Sequence, residues 1–213
     1  VPFALFIGLM MADPAVEALL GTALDPRWLY AIRSVLTLLA LAYFWGRYTE
    51  LREAPPLRAG PVLAGVAVGL AVFVLWIVLD FPPLVIGGEE GGGFDPTVDG
   101  AIHWGLALSR LLGSALVVPM MEELFWRSWI MRWLQKPDFL GVDPHTVGWK
   151  PLVMSSVVFA AEHSLWFAGF LAGLAYGELY RRTGDVRVAV LAHGVTNGVL
   201  GVWILVTGNW HFW

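Results

Sequence analysis

A chain in which apolar runs close to 20 residues recur has little choice of solvent, because each run is long enough to cross a bilayer as one helix. Residues 61–79 contain no charged side chain, and similar runs lie near both ends of the sequence. The composition agrees: 58% of the 213 residues are hydrophobic and 14% charged, where a soluble domain carries about 25% charged residues. The sequence therefore predicts an all-α polytopic transmembrane helix bundle, a single integral membrane domain over residues 1–213. The lack of cysteine excludes disulfides, thiolate metal sites and cysteine nucleophiles. The net charge of −4 says little, since topology follows where Lys and Arg sit rather than their sum. No cleavable signal peptide and no internal repeat is evident. The expected partners are the lipid bilayer and a membrane-bound molecule, not nucleic acid.

About seven helices are expected, within a range of six to eight, over roughly residues 2–22, 28–46, 60–80, 101–134, 150–163, 165–181 and 187–207. The first is weakened by Asp13-Pro14 and Glu17 and is expected to bend or lie partly at the interface. The fourth is too long for one perpendicular crossing, and Pro119 removes a hydrogen bond there and permits a kink. The fifth is short and flows almost directly into the sixth. Residues 87–100, "GGEEGGGFDPTVDG", are Gly-rich and acidic and suit a flexible exposed loop. In this arrangement Arg47, Arg52, Arg58, Arg132, Lys136, Lys150, Arg181, Arg182 and Arg187 all fall on one side, and Arg27 on the other. The positive-inside rule then places the amino terminus in the cytoplasm and the carboxyl terminus outside.

Charges inside such spans are costly, and an intramembrane ionisable residue is a functional hypothesis by default. In "MMEELFWRSW" Glu123 and Arg127 stand four residues apart with the acid first, the favourable order for an ion pair on a helix. Glu122 sits about 100° further round and is not consumed by that pair. A spare, partly desolvated carboxylate is what a general base requires. The plainer alternative is a charged cluster that only joins helices. In "FAAEHS" Phe159 and His163 are one turn apart; a single His in a membrane helix serves as well as a hydrogen-bonded packing residue. In "HGVTNG" His193 and Asn197 share a helix face, either as donors on one wall or as a polar clamp between helices.

Depth brings the three together. At about 1.5 Å per residue, Glu122 lies roughly 15 Å in from Arg132, His163 roughly 20 Å in from Lys150, and His193 and Asn197 roughly 9 to 15 Å in from Arg187. An acid, two imidazoles and an amide at one level of the bilayer predict a wet polar cavity suited to hydrolysis. Other hydrolytic signatures are missing: there is no HExxH, no GxSxG and no GxGD. Arg33 and Arg110 read as structural, and His103, His145 and His211 as solvated histidines near helix ends.

In these residues the chain resembles the CPBP family of intramembrane endopeptidases, also called the Abi or CAAX-protease family. The motifs EExxxR, FxxxH and HxxxN/D read here as Glu122-Glu123 to Arg127, Phe159 to His163, and His193 to Asn197, in the family's order. The resemblance covers roughly residues 101–207, a catalytic core, and leaves 1–100 as three accessory helices. It looks closest to bacterial members called CAAX prenyl protease-related, although Ser128-Trp129 follows the Arg where Gly is common. What the resemblance implies is a glutamate-type protease of the inner membrane acting on a membrane-anchored protein, prenylated or not. Glu122 and His163 would activate water, His193 and Asn197 would stabilise the oxyanion, and Glu123, Arg127 and Phe159 would organise the site. No cofactor is expected; zinc held by Glu122, His163 and His193 is the rival, a known His₂Glu arrangement. A non-catalytic scaffold or immunity-type protein is the alternative of another class, and a proton-relaying transporter a third.

Overall fold

The computed structural model describes residues 1–86 and 93–213. Seven principal helices carry the described chain: α1 (Pro2–Leu20), α2 (Trp28–Tyr43), α3 (Ala59–Val78), α4 (Trp104–Gln135), α5 (Trp149–Ala160), α6 (Trp166–Thr183) and α7 (Val186–Thr207). Four of them, α1, α3, α4 and α7, are long and apolar enough to cross a membrane. Large apolar side chains such as Leu39, Leu63, Val157 and Val206 stand exposed around the bundle, a surface for lipid to solvate. The chain is an integral membrane protein with an all-α bundle, as its apolar runs require.

Three elements take a form that the sequence leaves open, and one of them moves a site residue. Helix α1 runs unbroken through Pro14, and Asp13 beside it pairs with Arg33 of α2. Helix α4 is continuous across Pro119 and widens to π geometry over Gly113–Val117, just before it, and again over Leu124–Met131. Helix α5 ends at Ala160, so His163 stands in the turn between α5 and α6 and not on a helix wall. Of the Gly-rich stretch, residues 87–92 lie outside the described residues. The remainder is not only loop: Thr97–Val98 and Ala101–Ile102 form a small antiparallel hairpin joined by Asp99-Gly100.

The basic segments gather at one end of the bundle. Glu50, on the single turn Thr49–Arg52, pairs with Arg132 of α4 and accepts from the hydroxyls of Ser128 (3.2 Å) and Tyr180 (3.3 Å). Arg187 donates to the Pro55 carbonyl at 2.5 Å and Arg181 to that of Val147 at 2.7 Å. At the other end Arg27 donates to the carbonyls of Asp95 and Thr97, each at 2.8 Å, and Ile86 N–H reaches the Ser164 carbonyl at 2.8 Å. Val1 lies with Tyr48 and Glu50, and the Trp213 carbonyl accepts from Phe94 N–H, so the two ends of the chain sit at opposite ends of the bundle.

Packing is closest between α3 and α7. Membrane helices gain little from hydrophobic burial against one another and rely on close backbone approach at small residues. Gly65 and Gly69 supply it: a Cβ at Gly69 would lie 2.5 Å from the Ala192 carbonyl oxygen and 2.8 Å from the Val195 Cβ. The contact is sealed by Thr196, whose hydroxyl donates to the Gly69 carbonyl at 2.9 Å and accepts from Tyr176 at 2.7 Å. Gly69→Ala is therefore expected to cost about 1–3 kcal/mol, the usual penalty of overpacking. Thermal unfolding of the detergent-solubilised protein checks it, and an unchanged Tm would show that α3 and α7 separate freely.

Candidate active site

Glu122 and Glu123 close the middle α segment of α4, before its second π stretch. They face different ways. Glu123 is fully buried and makes ion-pair contact with Arg127 at 3.1 Å, so the pairing expected from their spacing is what the structure shows. Its other oxygen does something the spacing does not reveal: Oε1 lies 2.9 Å from Nδ1 of His193 on α7. A carboxylate at this contact accepts, so Nδ1 carries the proton and Nε2 is the nitrogen left for other partners. His193 is further fixed by stacking on Tyr176, with ring centroids 5.0 Å apart and planes 18° apart.

Arg127 is the packing centre of this cluster. Its guanidinium lies 4.4 Å from the Phe159 ring centroid and 5.6 Å from that of Tyr176, and one N–H reaches the Gly173 carbonyl at 3.4 Å. Phe159 thus acts as a platform for the cation. Its carbonyl has a second task at the end of α5, where it accepts from His163 Nδ1 at 2.9 Å. Carbonyls in the last turn of a helix lack their usual N–H partners, so the imidazole caps the helix. Because a carbonyl only accepts, His163 holds its proton on Nδ1 and presents Nε2 as a bare acceptor in the neutral ring.

Asn197 is positioned by Pro119. In the π turn Val118 N–H bonds to the Gly113 carbonyl, so it does not serve Ser114. The next candidate in that register is residue 119, and proline has no N–H. The orphaned Ser114 carbonyl is taken by Asn197 Nδ2 at 2.8 Å. One of the two amide protons is thereby used and the other remains. Gly194, one turn earlier on α7, lets the helices meet here, since a Cβ on it would lie 2.9 Å from the Ala115 carbonyl oxygen.

These groups share one space. Glu122, His163, His193 and Asn197 all line a cavity of about 250 Å³, together with Arg33 and Arg110. Glu122 is only 9% exposed, and its Oε2 has no hydrogen-bond partner in the protein. The cavity walls include Tyr30, Trp76, Phe159 and Tyr176. Trp76 meets the His163 ring edge-on at 5.4 Å. An unpartnered carboxylate oxygen and an imidazole acceptor in one largely apolar pocket suit the activation of one water molecule. Among the described residues no three His, Asp or Glu side chains are grouped closely enough to hold one metal ion.

Several partners escape sequence reasoning. Trp126 Nε1 donates to Glu162 at 3.1 Å, a contact across 36 residues that spacing alone does not show. Arg33 and Arg110, read from sequence as structural, both reach the cavity, and their place inside spans is the signal that marks them. His103 caps α4, accepting from Leu106 N–H at 3.3 Å, and His211 pairs with Asp80 at 3.0 Å, so both sit at helix ends as expected.

Residues 104–199 match the family model described as type II CAAX prenyl endopeptidase Rce1-like. The matched segment contains Glu122, Glu123, Arg127, Phe159, His163, His193 and Asn197, and leaves α1 to α3 outside. No curated protein and no solved structure matches the chain.

Proposed function

We propose that this chain, whose residues 104–199 match the Rce1-like family model of type II CAAX prenyl endopeptidases, is a glutamate-type intramembrane endopeptidase that cleaves a membrane-anchored protein or peptide, CAAX-type substrates included. The observation that carries this reading is the shared cavity, in which Glu122 and His163 each present an unused acceptor. Glu122 takes a proton from water while His163 Nε2 accepts its other hydrogen bond. The water oxygen bonds to the peptide carbonyl carbon, and negative charge develops on the carbonyl oxygen. His193 and Asn197 receive that charge: Glu123 at the back of His193 supports the doubly protonated ring whose Nε2 donates, and Asn197 offers its remaining N–H. The proton on Glu122 then passes to the amide nitrogen as the carbon–nitrogen bond breaks. The basic end of the bundle, with Val1, faces the cytoplasm in this reading.

Zinc is the rival agent by residue type, since Glu122, His163 and His193 are a His₂Glu set, but these three are not grouped closely enough in the described structure to hold one ion. The metal-free route is preferred because it gives Asn197 and the Glu123-backed His193 distinct work. Purified protein in lipid nanodiscs, incubated with a bacterial membrane-protein extract, is expected to release new peptide termini before and after treatment with a chelator. Stoichiometric zinc together with chelator-sensitive cleavage would replace the metal-free route, and no new termini at all would end the protease reading.

A further inference from the structure

The cavity is lined by two arginines that the hydrolytic scheme does not use, Arg33 and Arg110. Arg33 is paired with Asp13, and Arg127 with Glu123. Arg110 has no carboxylate within ion-pair distance among the described residues, its guanidinium donates no hydrogen bond to them, and its Nε is buried without a partner. It is held by faces rather than by acceptors: the guanidinium carbon lies 4.1 Å from the Tyr30 ring centroid and 5.4 Å from that of Phe94. Stacking satisfies the plane of a guanidinium and leaves its N–H edge unpaired. That edge is a rigid fork suited to bidentate binding of a carboxylate.

We infer that Arg110 is the anion subsite of this cavity and that it binds a carboxylate of the substrate, with Arg33 adding positive potential beside it. The inference rests on the endopeptidase reading for what enters the cavity, but not for the presence of the subsite. Position limits the spacing. Arg110 precedes Glu122 by 12 residues on one continuous helix, about 18 Å of rise at about 1.5 Å per residue. An extended peptide advances about 3.4 Å per residue, so the bound carboxylate lies within about five residues of the bond cleaved. Two sources supply such a group: the carboxyl terminus of the substrate chain, or an acidic side chain at that distance. Acidic side chains are rare in membrane-embedded peptide, whereas every chain has a terminus.

The test uses the full chain with Glu122→Gln, in phosphatidylcholine nanodiscs, so that binding is read without turnover. Three dansylated apolar pentapeptides serve as probes: a free acid, its C-terminal amide, and an amide carrying one internal Glu. Binding is followed by energy transfer from Trp76 and Trp213, which line the cavity. The free acid is expected to bind about tenfold or more tightly than its amide, the scale of a hydrogen bond to a charged group. Adding Arg110→Gln should bring that ratio to about one, and Arg110→Lys should restore part of it by charge alone. Tighter binding of the internal-Glu amide than of the plain amide, lost in the same variant, assigns the subsite to a side chain instead of a terminus and also supports it. Equal binding of all three probes, or an acid preference that survives Arg110→Gln at unchanged Tm, overturns it. A protein that selects the acid but, with Glu122 intact, cleaves nothing retains the subsite and loses the endopeptidase. One that cleaves acid and amide alike does the reverse.

Discussion

Glu122→Gln is expected to abolish cleavage while leaving the protein as stable as before, or more so. The substitution keeps the shape of the side chain and removes only its ability to take a proton. Loss of a positioned general base costs about 10²–10⁴ in rate, and here the same group also aligns the water, so the upper part of that range applies. The expected gain in stability has a separate cause. Oε2 of Glu122 is buried without a hydrogen-bond partner, and a buried charge lacking a partner is unfavourable for folding. An amide in its place is less costly to bury. Two measurements check this together: release of new termini from membrane proteins by wild-type and variant protein, and Tm of each in the same detergent. A variant that retains cleavage removes Glu122 from the chemistry. A variant that loses cleavage only because it unfolds shows that Glu122 is a structural charge, and the scaffold alternative then gains.

Particular residues show how far the sequence can be read. The helices follow from long apolar runs, and the Glu123–Arg127 pair from four-residue spacing on one helix, since both are local properties. The meeting of Glu122, His163, His193 and Asn197 is legible only as a common depth, because distance along a helix is fixed by its rise while the angle between helices is not. The His193–Glu123 contact bridges 70 residues, and no periodicity within α7 encodes it. Pro119 is visible as a missing hydrogen bond, but its consequence depends on the π register before it and on Asn197 opposite. The end of α5 is hard to place because "FAAEHS" contains no helix breaker; the Phe159 carbonyl is shared by the Glu162 N–H and the His163 side chain. The hairpin at Thr97–Ile102 does carry a local signal, since Asp-Gly flanked by β-formers favours a two-residue turn. It is hidden within a Gly-rich tract.

Seen together, these contacts divide the labour between paired and unpaired charge. Pairing keeps Arg127 and Glu123 inside the bundle, and Glu123 extends that order to His193. Among the described residues Glu122 and Arg110, which line the cavity, have no such partner. In a low-dielectric interior, charge left uncompensated is held for a ligand or a reaction at a cost in stability, and the rest of the fold must supply that stability.

Arg127→Ala should have the opposite signature to Glu122→Gln: loss of the fold first, and of activity as a consequence. The side chain is 2% exposed and the carboxylate it faces is fully buried. Removing one partner of a buried pair costs about 3–5 kcal/mol, because the other charge is left stranded. Glu123 would be that charge, and it also orients His193. The Phe159 and Tyr176 rings lose the cation packed against them, which adds a cavity to the electrostatic loss. Against a total of about 5–15 kcal/mol for a folded protein, the sum is enough to unfold much of the population at growth temperature. Arg127→Ala is therefore expected in low yield, with a strongly lowered Tm. Pairing it with Glu123→Gln should recover part of the stability by neutralising the stranded carboxylate, without recovering cleavage. If Arg127→Ala instead folds with the wild-type Tm and is simply inactive, Arg127 acts on the substrate or the water directly, and the division of labour between the two acidic residues has been drawn in the wrong place.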